Sequence, residues 1–202
     1  MIIGDQFLWL HLPKTGGTSM TRLFRELQLP GVSVDADDTA AKHDSVALRE
    51  SRGSWRAGQR RRFITARRLE SWLVSDWHHK RRHMGQADLP FEPVRSGLYY
   101  SLRAGGVWMA ADWWLRYFDV DETVTALRLE QLGEDLQRLL LPLLPAGAAA
   151  SQALQLPRDN ARPERSGGPL LEPGDLARIE AVNPMWSRWQ QQLYGNPAAT
   201  GA

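Results

Sequence analysis

One stretch constrains the fold more than any other: Phe7-Leu8-Trp9-Leu10-His11-Leu12, then Pro13-Lys14-Thr15-Gly16-Gly17, then Thr18-Ser19-Met20. Its first six residues are a nearly continuous apolar run bounded by Asp5 and Pro13, the pattern of a short strand buried on both faces, as in a parallel sheet. Beyond the glycines, Met20, Leu23, Phe24 and Leu27 fall on one face at helical spacing. Strand, glycine loop and helix in this order open a nucleotide-binding α/β domain. Glycines let the backbone approach a ligand with its N–H groups turned inward, and a helix N-terminus adds partial positive charge. Lys14 supplies a mobile ammonium, and Thr18 and Ser19 supply hydroxyls. The candidate anion ligands are therefore Lys14, Thr15, Gly16, Gly17, Thr18 and Ser19. An ordinary strand–helix turn with a surface lysine is the plainer alternative.

The rest of the chain extends the α/β pattern. Residues 45–51 read as a short helix, 63–66 as a second strand, and 69–82 as a helix whose apolar stripe is Leu69, Trp72, Leu73 and Trp77. Residues 85–97 read as loop, 107–118 as a Trp-rich helix, 123–129 as a third strand and 131 to about 141 as a helix limited by Pro142. An Ala/Pro/Gly-rich loop over 146–168 precedes one or two closing helices over 175–194, with a break at Pro184. Strands alternating with helices imply right-handed crossovers and a parallel sheet. The expected fold is a three-layer α/β domain resembling the P-loop NTPases, with a central parallel β-sheet flanked by helices. It should span 1–195 as a single domain, with 196–202 a disordered tail. Three strands are clear, so one or two more must lie in segments without a readable period.

Composition narrows the function classes. Hydrophobic residues at 43% and charged residues at 24% are ordinary for a globular chain and exclude a disordered one. The absence of cysteine excludes a disulfide scaffold, a thiolate metal site and a cysteine nucleophile. The N-terminus lacks a basic region, Asp5 interrupts its apolar stretch, and the apolar run near 139–150 is short and broken by prolines. A cytoplasmic protein without membrane insertion is the expectation. Of 25 basic residues only Lys14, Lys42 and Lys80 are lysine. Residues 49–82 hold eleven basic and three acidic side chains, yet no nucleic-acid module is recognisable. That block suits a highly charged nucleotide or a solvated face, and no nucleic-acid partner is expected. His79 and His83 lie four apart on a helix, but a third ligand is missing, so no metal site is assigned.

Leu10 to Ser19, LHLPKTGGTS, resembles the 5′-phosphosulfate loop of the sulfotransferases that use 3′-phosphoadenosine 5′-phosphosulfate (PAPS), specifically their carbohydrate, heparan sulfate 2-O-like branch. Further segments follow in order. Lys42-His43-Asp44-Ser45 through Glu50 is similar to that branch's KHATAREIRE segment. Trp55 and Phe63 through Ser75 are similar to its W…FAFVRNPWDRLVS segment, and Leu127 through Leu136 to its RxENLEEDL element. The family's Asn-Pro is Arg68-Leu69 here, and its later arginine is Trp72.

The resemblance implies a sulfotransferase that uses PAPS without a required metal and carries a sulfuryl group to an acceptor hydroxyl, on a carbohydrate or small molecule. It places Lys14 at the leaving 5′-phosphate and transferring group. The backbone of residues 15–18, with the Thr18 and Ser19 hydroxyls, falls around the 5′-phosphate. Arg67 and Ser75 fall at the 3′-phosphate, and Arg165 and Ser166 in the closing loop. His43 is the expected base and Glu130 its rival, while His11, in a buried strand, is expected to hydrogen-bond internally. Trp108, Trp113 and Trp114 read as helix core rather than a stacking platform. A P-loop kinase or NTPase is the alternative, though a Walker A loop places its lysine after the glycines whereas Lys14 precedes both. A nucleotide-binding relative without catalysis is the third reading.

Overall fold

The computed structural model describes residues 1–144 and 171–195. The loop expected over 146–168, with Arg165 and Ser166, and the expected tail 196–202 lie outside the described residues. The described residues divide into two compact units, one built from 1–66 and 118–144, the other from 67–117 and 171–195.

The first unit is a five-stranded sheet in the order β3-β1-β2-β4-β7. Its strands are β1 (Ile2–Ile3), β2 (Phe7–Leu10), β3 (Ser33–Val34), β4 (Arg61–Ala66) and β7 (Val124–Arg128). β2, β4 and β7 are parallel, with Trp9 opposite Phe63 and Phe63 opposite Thr125. The sheet is nevertheless mixed rather than wholly parallel, because β1 runs antiparallel to both β2 and β3. A hairpin explains the difference: Gly4 N–H donates to the Phe7 carbonyl at 2.9 Å, and antiparallel neighbours need only such a short connection. Two-residue strands carry no period, so β1 and β3 have no readable signal in the sequence.

β2 is buried along its whole length, as its unbroken apolar run requires. Phe7, Trp9, Phe63 and Leu127 face one side and form a core with Met20, Leu23 and Phe24 of α1 (Gly17–Leu27), together with Leu132, Leu136 and Leu140. Leu8, Leu10 and Ile64, which alternate with them, are fully buried as well. One hydrogen bond crosses this core, from Trp9 Nε1–H to Thr65 Oγ1 at 3.1 Å. α2 (Val46–Ser51) starts at Ser45, whose hydroxyl accepts from Leu48 N–H at 3.2 Å. The expected helix over 131–141 is broken up. A 3₁₀ turn (Leu129–Gln131), α6 (Leu132–Asp135), a π-helical segment (Leu136–Leu140) and another 3₁₀ turn follow one another. Pro142 has no N–H to return to the ladder and crowds the carbonyl four residues back, so the regular spiral cannot run into it.

The second unit holds α3 (Leu69–His83), α4 (Glu92–Arg95), the hairpin β5 (Leu98–Ser101) and β6 (Val107–Ala110), α5 (Asp112–Tyr117), α7 (Pro173–Val182) and α8 (Pro184–Tyr194). The helix expected over 107–118 is therefore corrected: its first four residues are a strand, and a separate helix begins at Asp112. Gly105 and Gly106, with φ of 83° and 84°, supply the left-handed turn that lets Val107 pair with Ser101. The predicted stripe of α3 is buried, with Trp72 set 4.9 Å from Trp186 and 5.4 Å from Tyr99 between ring centroids. Pro184 does separate two helices. Asp112 accepts from the N–H groups of Met185 and Trp186 at 2.9 and 2.8 Å, satisfying donors at the start of α8. No helix among the described residues is long and apolar enough to cross a membrane.

Candidate functional site

The loop between β2 and α1 has the geometry of an anion cradle. Lys14 and Gly16 are both left-handed, with φ of 64° and 81°, and they flank Thr15. Alternation of this kind turns successive N–H groups toward one concavity. A lysine there accepts a conformation that costs about 1–2 kcal/mol, which backbone tends to store at functional positions. Thr15 is fully buried and donates its hydroxyl to the Leu12 carbonyl at 2.7 Å, so it braces the loop and offers only its backbone to a ligand. α1 then begins at Gly17 with no side-chain cap and no acidic residue in its first turn. No carboxylate of its own first turn offsets the partial positive charge of its leading N–H groups, which favours an incoming anion. Thr18 is exposed at this end and Ser19 is buried.

Both glycines are dictated by neighbours as well as by any ligand. A Cβ at Gly16 would stand 2.7 Å from Leu129 Cδ1, and one at Gly17 only 1.6 Å from His11 Nε2. His11 lies one residue beyond β2 rather than inside it, and is 6% exposed. Its expected internal hydrogen bond takes a different form. The backbone carbonyl accepts from His43 Nδ1 at 2.9 Å. Burial first, and then the neighbouring His43, amino terminus and Lys42, push the His11 imidazole well below its ordinary pKa. It is a neutral ring.

His43 ends a 3₁₀ turn (Ala40–His43), half-buried, with its ring 4.5 Å from that of His11. A carbonyl can only accept, so Nδ1 carries a proton, and in the neutral ring the lone pair falls on Nε2, the tautomer a general base needs. Ion pairs hold the segment that carries it. Arg49 pairs with Asp35, Arg52 pairs with the buried Asp44, and Lys42 Nζ donates to the Asp37 carbonyl at 2.6 Å. Arg60 Nε donates to the Gly4 carbonyl at 2.9 Å, and Arg62 lies 3.4 Å from Asp121. Much of the basic block in this unit therefore serves the fold. Glu130, the rival base, is exposed in the 3₁₀ turn that follows β7.

Arg67 and Ser75 belong to the second unit. Arg67 Nε donates to Ser71 Oγ at 3.0 Å, and the Arg67 carbonyl accepts from Trp186 Nε1–H at 3.1 Å. Ser75 is half-buried one further turn along α3. Ser71 was not singled out from the sequence, although its four-residue spacing from Arg67 was the available signal. Arg68 lies with its guanidinium 4.5 Å from the centre of the Tyr194 ring. Trp72, standing where the resembling family has arginine, is core. Trp114 is buried, Trp113 stacks on Tyr117 at 4.8 Å and Trp108 meets Tyr100 at 5.4 Å. The rings of His79 and His83 lie 5.3 Å apart, and no group of three or more His, Cys, Asp or Glu able to hold a metal occurs among the described residues. Comparisons of the chain with protein-family models, with curated proteins and with solved structures find no match.

Proposed function

We propose that this chain is a sulfotransferase that carries a sulfuryl group from PAPS to an acceptor hydroxyl, on a carbohydrate or small molecule. The observation that carries the reading is the pairing, within one unit, of an uncapped α1 N-terminus behind a left-handed Lys14-Thr15-Gly16 loop with a histidine held in its base tautomer. The three parallel strands, with this loop after the first of them, support a P-loop-like reading of the fold. In this scheme His43 Nε2 takes the proton from the acceptor hydroxyl as its oxygen bonds to sulfur and the bond from sulfur to the 5′-phosphate oxygen breaks. Lys14 and the N–H groups opening α1 stabilise the charge that develops on the leaving phosphate. The resemblance names Arg67 and Ser75 for the 3′-phosphate; Arg165 and Ser166, which it also names, lie outside the described residues.

The decisive experiment compares thermal unfolding with 3′-phosphoadenosine 5′-phosphate (PAP), PAPS and Mg·ATP. Stabilisation by PAP and PAPS but not by Mg·ATP is expected, together with loss of transfer in Lys14→Ala. Stabilisation by Mg·ATP alone would overturn the reading in favour of a kinase or NTPase. Stabilisation by PAP without transfer to any of a panel of hydroxyl acceptors would leave a nucleotide-binding module.

A further inference from the structure

The ring of His11 meets both halves of the proposed site. On one side its Nε2 lies so close to Gly17 that a methyl there would stand 1.6 Å away, so the imidazole tip rests on the first residue of α1. On the other side the His43 ring is 4.5 Å distant, and Trp9 lies at 5.1 Å.

We infer that His11 is a positioning residue: wedged between Gly17 and the His43 ring, it passes displacements at the start of α1 to the base. The inference rests on the reading of the loop as an anion site and of His43 as the base. Its physical ground is close packing. A ring that is 6% exposed and in contact with Trp9, Gly17 and His43 has little free space, so a shift on one side is met by a shift on the other. The same residue holds His43 by its carbonyl, so the loop and the base share one support. Because the His11 ring is neutral, it does not compete with His43 for the transferred proton.

Gly17 lacks a left-handed φ, and the three atoms nearest to an added methyl all belong to the His11 ring. Gly17→Ala therefore acts as a push on that ring. The full chain, labelled with ¹⁵N-histidine and free of ligand, is compared as wild type, Gly17→Ala, His11→Ala and the double variant, reading the His43 ring nitrogens by NMR. Gly17→Ala should shift those resonances, and the same substitution in the His11→Ala background should leave them where His11→Ala put them. Equal shifts in both backgrounds, or a folded Gly17→Ala with unmoved His43 resonances, would overturn the inference. Should Gly17→Ala not fold, His11→Asn decides. Its shorter planar side chain withdraws from Gly17, and the His43 resonances should move from their wild-type positions; unmoved resonances overturn the inference. In turnover, His11→Asn should lower kcat at least about tenfold with KM for PAPS within about threefold, and an unchanged kcat overturns the inference. A wild-type chain that neither binds PAP nor transfers sulfuryl would instead defeat the underlying reading, and the ligand-free comparison would still decide the coupling.

Discussion

The Nδ1–H of His43 donates to a carbonyl that has no proton to return, so a backbone group 32 positions away along the chain selects which ring nitrogen keeps its lone pair in the neutral ring, the one the proposed reaction uses. His43→Ala is expected to lower kcat about 10²- to 10⁴-fold while PAP affinity stays within about threefold. Steady-state kinetics with PAP inhibition checks this, and near-normal turnover would remove His43 from the base role. His11 carries a separate prediction about pH. In the unfolded chain its imidazole titrates near pH 6.5, whereas in the fold burial first, and then the neighbouring His43, amino terminus and Lys42, hold it well below that. Below about pH 6.5 the unfolded state binds a proton that the folded state does not. The stability contributed by neutral His11 is therefore complete above that pH and is lost as pH falls, by up to about 1.4 kcal/mol per pH unit. Urea unfolding from about pH 7.5 down to pH 5 should show this loss, with a shallower pH dependence in His11→Asn; equal slopes would refute it.

At the scale of elements, the loop between β2 and α1 depends on Gly16 twice, through its φ of 81° and through the approach of Leu129 Cδ1 to within 2.7 Å of any added methyl. Gly16→Ala should cost at least about 1–2 kcal/mol from the left-handed conformation alone and should abolish PAP binding, read by urea unfolding and calorimetry. A stable variant that binds PAP normally would show that the cradle does not need this turn. The hairpin of β5 and β6 shows where local pattern runs out. Val107-Trp108-Met109-Ala110 is apolar throughout, so helical and strand periods fit it equally. The pairing of Tyr100 with Trp108 across the Gly105–Gly106 turn settles the matter for strand. The resemblance picks out Arg67 and Ser75, eight residues apart, and Arg67 Nε also donates to Ser71 Oγ, four residues on.

On the scale of the whole chain, each unit draws on separated stretches of sequence. β7 joins the sheet beside β4 with Ala66 opposite Arg128, and Trp186 of α8 packs on Trp72 of α3. Trp72 is fully buried, and the family that the sequence resembles carries arginine there. Trp72→Arg should cost at least about 3–5 kcal/mol, by loss of the ring packing and burial of an unpaired cation. Chemical denaturation checks this, and a variant of wild-type stability would mean that the Trp72 cluster does not support its unit.

Much was written along the chain itself. The apolar run of β2, the apolar face of α1, the Ser45 cap and the break at Pro184 are local matters of side-chain period, capping and missing N–H groups, and they stand where the residues place them. Lys14 lies in the loop between β2 and α1 and His43 just before α2, places that follow from their positions along the chain. The tertiary structure alone decided the antiparallel β1 and β3, the tautomer of His43, the ring of His11 against Gly17 and the Trp9–Thr65 hydrogen bond. These join residues distant in sequence, and no periodicity along a chain records which remote group packing will bring into contact.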